Sequence, residues 1–256
     1  MTTLRERMQA GVAAGVGLTF ATPQLVELCG RAGFHWALID CEHGAFSAES
    51  MEHAFIAADA ARLPLMVRPS SDRPEAILAA LDRGAAGVQV PHVATASQAQ
   101  AIVRAVKYEP LGNRGLGTSV RAAGYGIDLD VAAYVAKANR ETIVCVQIED
   151  EEGLTNVAEI AAVPGVDVVF IGPMDLSQAL GHPGDLARPD FRRRVEDAFR
   201  LAHAAGKITG TSGNAAWVRY GVALGARYVY TSLGGVLLPG ARDFIAQTQT
   251  PAPGTA

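Results

Sequence analysis

Apolar and polar positions along this chain repeat in two parts: a short run rich in Val, Ile and Leu, then an Ala-rich stretch with apolar residues at helical spacing. Eight apolar runs are predicted strands: GVGLTF (15–20), HWALID (35–40), PLMVRP (64–69), AGVQVPH (86–92), TIVCVQIE (142–149), VDVVFIG (166–172), KITGTS (207–212) and RYVYTS (227–232). Several are apolar at nearly every position, as expected of a parallel strand covered on both faces. SAESMEHAFIAADAAR and TASQAQAIVRAVK, lying between strands, predict helices. RAGFHW, DRGAAG, VPGVDV, AAGKIT and ALGARY each place a glycine just before a strand, where it can close a helix in the left-handed conformation. Eight strand–helix units predict a (β/α)8 barrel of the α/β class, one domain over 1–249. An open doubly wound sheet is the alternative.

One interval breaks the rhythm. The fourth run ends near His92 and the fifth near Glu149, 57 positions on, whereas most other strand ends lie 20 to 28 apart. The surplus contains YEPLGNRGLGTSVRAAGYGI (108–127), an extended loop expected on the strand-end side as a lid, or else serving subunit packing. The tail TPAPGTA (250–256) is expected to be disordered.

Composition narrows the classes of function. With 22 basic and 26 acidic residues, a net charge of −4 and no long single-sign run, the chain lacks the footprint of a nucleic-acid or anionic-membrane binder. It has no apolar stretch of about 18 residues, and MTTLRERMQAG lacks the apolar centre of a secretion signal, so a cytoplasmic protein is expected. Cys29, Cys41 and Cys145 have no CxxC spacing and predict neither a disulfide framework nor a zinc ribbon.

In such a barrel, chemistry gathers at the C-terminal strand ends. Those positions hold Asp40-Cys41-Glu42-His43, Arg68, Pro91-His92, Gln147-Ile148-Glu149 and Gly172-Pro173-Met174-Asp175, with Thr211, Ser212, Thr231 and Ser232 on the last two strands. Glu149 and Asp175 follow neighbouring strands and form a hard oxygen pair suited to Mg²⁺ or Mn²⁺ completed by water and substrate. Either could instead cap a helix, and Glu149 opens the acidic run EDEE, which could be a solvated helix start. His43 is the candidate base, with Asp40 and Glu42 near enough to orient its ring. His92 is well placed but has no obvious partner, while His53 and His203 fall in helices and His35 at the opposite face. Arg68, ending an apolar strand, needs an anion, either a ligand or one of the carboxylates. Of the three lysines, Lys107 and Lys137 fall on helices and Lys207 at the wrong face, which argues against a Schiff-base mechanism. No GxSxG, P-loop or GxGxxG is present; Ser212-Gly213-Asn214 and Ser232-Leu233-Gly234-Gly235 could cradle a phosphate.

The segments AGFHWALIDCEHG, VRP, Tyr108-Glu109-Pro110 with NRGLG, VQIE and FIGPMDLS occur in this order, and in combination the chain resembles the HpcH/HpaI aldolase family from about residue 4 to 245. The resemblance implies a (β/α)8 barrel of the phosphoenolpyruvate/pyruvate type. It also implies a homohexamer, a trimer of dimers, whose last helix packs on a neighbour. The implied reaction is reversible aldol cleavage of 4-hydroxy-2-oxo acids to pyruvate, or a close 2-keto acid such as hydroxypyruvate, plus an aldehyde. The implied cofactor is a divalent cation (Mg²⁺ or Mn²⁺, with Co²⁺ a further option) and no organic group. By the family's motifs, Glu149 and Asp175 would be metal ligands, Gln147 would meet substrate, and Gly172, Pro173 and Met174 would hold the carboxylate. His43 would be the base and Arg68 would stabilise the enolate oxygen. Asp82, lent by a neighbouring subunit, or Asp40 would orient His43. Thr19-Phe20, Thr211-Ser212-Gly213 and Gly234 depart from the family pattern at the aldehyde end, where a smaller, more polar wall suits hydroxylated aldehydes. The rival readings are an acyl-CoA lyase of the citramalyl- or malyl-CoA type, a 2-keto diacid decarboxylase, and a catalytically silent barrel that binds keto acids.

Overall fold

Strands apolar on both faces must be covered on both, and a barrel does so with helices outside and side chains within. In the computed structural model, which describes residues 2–249, eight parallel strands close in sequence order: β1 (Ala13–Leu18), β2 (Trp36–Asp40), β3 (Leu65–Arg68), β4 (Gly87–Val90), β5 (Ile143–Ile148), β6 (Val168–Ile171), β7 (Ile208–Ser212) and β8 (Tyr228–Ser232). The (β/α)8 expectation holds and the open sheet is excluded, because β8 pairs with β1 from Ala13↔Tyr228 to Gly17↔Ser232. The one displaced strand is β1, which starts and ends two residues before the expected 15–20 and leaves Thr19 and Phe20 beyond it.

Helix α1 (Leu4–Ala10) precedes the barrel; α2 (Pro23–Arg31), α3 (Ala48–Ala61), α4 (Pro74–Asp82) and α5 (Ala96–Val106) follow the first four strands. Then come α6 (Val131–Glu141), α7 (Glu151–Thr155), α8 (Val157–Ala162), α9 (Pro173–Ala179), α10 (Pro189–Ala204), α11 (Ala215–Ala223) and α12 (Leu233–Gln249). The glycine in each of the five expected helix stops has φ between 72° and 99°, where a Cβ would be strained.

Two apolar clusters divide the core. One fills the shell between strands and helices; the other, inside the barrel, contains Trp36, Leu38, Met66, Cys145, Phe170, Tyr228 and Tyr230. Trp36 stacks on Tyr228 with centroids 4.2 Å apart, and Phe170 on Tyr230 at 5.5 Å. Rings of this size fit because β1 recedes: a Cβ on Gly15 would stand 2.4 Å from Trp36 Cε2. Leu4 and Met8 of α1 join this inner cluster, fully or nearly buried, and plug the lower end. Thr3 and Glu6 fix that plug with a reciprocal capping box. The remaining opening is at the C-terminal strand ends.

The long insertion corrects the lid expectation. It follows α5, which descends from the strand-end face, so 108–127 lies at the opposite end of the barrel. There Arg114 Nη2 meets Asp82 Oδ1 at 2.9 Å, and Arg121 Nη2 meets Asp59 Oδ2 at 2.5 Å. Lys107 seals the same end by donating to the Asn139 and Thr142 carbonyls at 2.8 and 2.6 Å; burial holds its ammonium down at about 8. The expected disordered tail, 250–256, lies outside the described residues. No described helix is long and apolar enough to cross a membrane.

Candidate active site

The strand-end mouth encloses an open cavity of about 500 Å³ whose lining includes Asp40, His43, Arg68, Gln147, Gly172, Pro173, Met174, Asp175, Ser212 and Tyr230. These come from strands far apart in sequence, brought together by barrel closure.

Asp40 and Arg68 end adjacent strands as register partners, which sets their side chains side by side. Arg68 grips Asp40 through two parallel bonds, Nε to Oδ1 at 3.0 Å and Nη2 to Oδ2 at 2.7 Å, the bidentate geometry a guanidinium favours. Burial pushes the Asp40 carboxyl up, but the bonds and charge of Arg68 outweigh it and hold the group below its ordinary range. Arg68 Nε also meets Glu42 Oε2 at 3.2 Å, leaving Nη1 for the cavity. Thus the structural ion pair foreseen as an alternative for Arg68 exists, and the same guanidinium still faces the open space.

This pairing corrects the role expected of Asp40. Its Oδ1 accepts the backbone N–H groups of Glu42 and His43 at 3.1 and 3.2 Å, so it shapes the turn rather than orienting the His43 ring. That ring stands exposed at the mouth, with Nε2 3.9 Å from Glu42 Oε2. Asp82 ends α4 and therefore sits at the far end of the barrel from His43 of the same chain, on Arg114.

Glu149 is 3% exposed, which overturns the solvated-helix-start alternative; the adjacent Asp150 caps α7 instead, accepting from Gly153 N at 2.7 Å. Its Oε2 accepts from Gln147 Nε2, and its Oε1 accepts the His92 backbone N–H at 2.7 Å. Burial raises the Glu149 carboxyl; the Gln147 and His92 contacts oppose this and the nearby Asp175 charge adds to it, for a net upward shift. A Cβ on Gly172 would lie 2.9 Å from Glu149 Oε2 and 3.2 Å from Gln147 Nε2, so a larger residue there would displace the ends of these two side chains. Asp175, half-buried in the first turn of α9, is no helix cap, since the cap position is Gly172. It makes no hydrogen bond or ion pair among the described residues and lines the cavity.

The sequence left Gln89 and Tyr230 unmarked, and named His92 and Glu42 without the partners they have. His92 does have partners: Nδ1 lies 3.0 Å from Glu149 Oε1 and Nε2 2.9 Å from Glu42 Oε1, with the backbone at φ 56°. Glu42 is the hub joining Arg68 and His92. Gln89 and Tyr230 lie beneath the cavity, where Gln89 Nε2 donates to Gln147 Oε1 at 2.6 Å and to Tyr230 OH at 3.3 Å. An amide in the middle of an apolar strand was the available signal for Gln89; nothing in the sequence marked Glu42 and His92 as neighbours. Thr211 faces away from the pocket, bonded to the Ile171 carbonyl and Trp217 Nε1, and only Ser212 and Gly213 of that trio line the wall.

A family model described as HpcH/HpaI aldolase/citrate lyase matches residues 15–217. A hydroxypyruvate/pyruvate aldolase from Pseudomonas aeruginosa is 39% identical over 80% of this chain and 76% of its own length. A 2-keto-3-deoxy-L-rhamnonate aldolase from Klebsiella pneumoniae is 38% identical over 77% and 73%. Among solved structures, an HpcH/HpaI aldolase/citrate lyase family protein from Burkholderia cenocepacia superposes with a TM-score of 0.90 at 30% identity, covering 98% of this chain and all of that one. The matched span runs from β1 into α11 and takes in all the charged groups of the mouth, and by it the chain belongs to the HpcH/HpaI aldolase/citrate lyase family of carbon–carbon lyases.

Proposed function

We propose that the protein cleaves and forms the carbon–carbon bond of 4-hydroxy-2-oxo acids, releasing or consuming pyruvate or a close 2-keto acid such as hydroxypyruvate, together with an aldehyde. The observation that carries this reading is the meeting at one cavity of a buried arginine, an exposed histidine and Asp175, with the buried Glu149 carboxylate against the lining residues Gln147 and Gly172.

The donor set suits a divalent cation. Glu149 is buried and its carboxyl is raised by burial and by Asp175, so a cation near both would relieve the strain. Among the described residues no three His, Cys, Asp or Glu side chains form a metal cage. Two carboxylates with the remaining positions left to water and substrate oxygens fit Mg²⁺ or Mn²⁺, with Co²⁺ also accommodated. When bound, such an ion supplies Lewis-acid stabilisation of the charge that develops on a keto oxygen.

The chain's own residues do the rest. The backbone of Gly172, Pro173 and Met174 meets the substrate carboxylate, and Gln147 contacts the keto acid. Arg68, fixed by Asp40, places positive charge where the oxyanion develops, which preorganised electrostatics makes a large catalytic contribution. His43, free at the mouth, takes the hydroxyl proton in cleavage, directly or through water, and returns it in condensation. Ser212 stands on the wall near the departing aldehyde.

Self-association completes the reading. No residue of α12 is buried, and Leu237, Leu238, Phe244 and Ile245 are 50 to 69% exposed, an apolar face suited to a second copy of this chain. Asp82, remote from its own His43, could serve that of a neighbour. A cytoplasmic setting agrees with the three free cysteines. The decisive experiment follows deuterium exchange of the pyruvate methyl protons with and without Mn²⁺, then aldol cleavage of a 4-hydroxy-2-oxo acid. Metal-dependent exchange is expected; no exchange in either condition rejects the proposal. Light scattering of the native protein and of Phe244→Glu tests the assembly, which should break down in the variant.

A further inference from the structure

Beneath the cavity, the barrel interior holds one carboxamide that does not touch the open space. Gln89 lies mid-strand in β4, 0% exposed, among apolar neighbours. Its Nε2 reaches two cavity-lining groups from below, Gln147 Oε1 at 2.6 Å on β5 and Tyr230 OH at 3.3 Å on β8. Its own Oε1 has no partner. A buried amide with an unmet acceptor is destabilising relative to an apolar side chain of the same length, so core stability does not account for this residue.

Its geometry accounts for it. A carboxamide has an accepting end and a donating end, and Gln147 could present either to Glu149. Because Gln89 donates from Nε2 to the Oε1 of Gln147, the NH2 end of Gln147 turns to Glu149 Oε2. The opposite sense would set acceptor against acceptor at Glu149 and donor against donor at Gln89. The second contact, to Tyr230, ties the β8 wall to the same group; the Tyr230 hydroxyl in turn meets Ser212.

We propose that Gln89 is a positioning residue: by donating to Gln147 it sets the sense of that amide, and through it the orientation of the Glu149 carboxylate toward the cavity. The functional consequence rests on the aldolase reading above, while the orienting role itself does not. Outer partners that orient a ligating group are worth 10- to 100-fold in metal affinity or activity.

The test uses the full-length protein with two substitutions. Gln89→Met keeps the length and removes both bonds. It should retain or raise the melting temperature, yet lower Mn²⁺ affinity, read by electron paramagnetic resonance without substrate, and kcat/KM by 10- to 100-fold. Gln89→Glu is nearly isosteric but accepts where glutamine donates, so it draws the NH2 of Gln147 away from Glu149 and should be the more damaging of the two. Wild-type Mn²⁺ affinity and kinetics in Gln89→Met overturn the proposal, as does a loss of activity that only follows a loss of melting temperature. A crystal structure of Gln89→Met in which Gln147 keeps its bond to Glu149 overturns it as well. Wild-type protein that neither binds Mn²⁺ nor exchanges pyruvate protons instead sinks the aldolase reading, and the crystal structure still decides the role of Gln89.

Discussion

The Asp40–Arg68 pair invites a double-mutant cycle. Asp40→Leu leaves a buried guanidinium, and breaking a buried ion pair from one side costs about 3–5 kcal/mol. Glu42, 3.2 Å from Arg68 Nε, still offers a partner, which places the loss near about 3 kcal/mol, the lower end of that range. Arg68→Met leaves the Asp40 carboxylate with only two backbone N–H groups, a loss of similar size. At roughly 2 °C per kcal/mol for a chain this long, each variant should melt about 6 °C lower. Replacing both partners by apolar groups is often close to neutral, so the double variant should lose less than either single one rather than their sum of about 6 kcal/mol. Differential scanning calorimetry at one protein concentration reads this directly, and additive losses would refute the coupling. The pH dependence has a fixed sign. Because Arg68 holds the folded-state Asp40 carboxyl below its ordinary value, the stabilisation is present above the ordinary carboxylate range and is lost as pH falls through the folded value. The gap between wild type and Asp40→Leu should therefore close in acid. All three variants should lose turnover, since each disturbs the arginine on the cavity wall.

Other substitutions probe other parts of the site. His43→Ala should cut aldol cleavage by about 10²–10⁴ while leaving Mn²⁺ affinity, measured by titration, unchanged; parallel loss of metal binding would make the residue a ligand instead. Gly172→Ala should lower Mn²⁺ affinity with little loss of melting temperature, because its Cβ would press on Glu149 Oε2 from 2.9 Å; unaltered binding would show that β6 has room to move. Burial holds Lys107 near 8 against an ordinary 10.5, so between these pH values the unfolded chain keeps a proton that the folded one has released. Stability should thus rise with pH across that window by up to about 3 kcal/mol in wild type and not in Lys107→Met; identical denaturation profiles would count against the buried ammonium.

The fold was legible because its code is local. The helix-stop glycines and doubly covered strands are each decided by a few neighbouring residues, and eight repeats of one unit leave little choice of architecture. The charged mouth was legible for the same reason: once strand ends are known, the barrel brings Arg68, Gln147, Glu149 and Asp175 to one end. What stayed hidden was pairing between strands. Asp40 stands only three residues from His43 in sequence, yet the register set it against Arg68, 28 positions away. His92 and Glu149 meet only across β4 and β5. The placement of 108–127 failed for a different reason. A long, glycine-rich excursion suggests a lid, but direction of travel decides the end of the barrel, and a segment that follows a descending helix emerges underneath.

The α1 plug gives the barrel a consequence for traffic. With Leu4 and Met8 stoppering the base, the chamber is a blind alley with one doorway, and visitors leave in the reverse of the order in which they came. If the keto acid sits deeper than the aldehyde, as the proposed roles of Gln147 and Ser212 imply, sequential kinetics are expected: the keto acid checks in first during synthesis and departs last during breakdown.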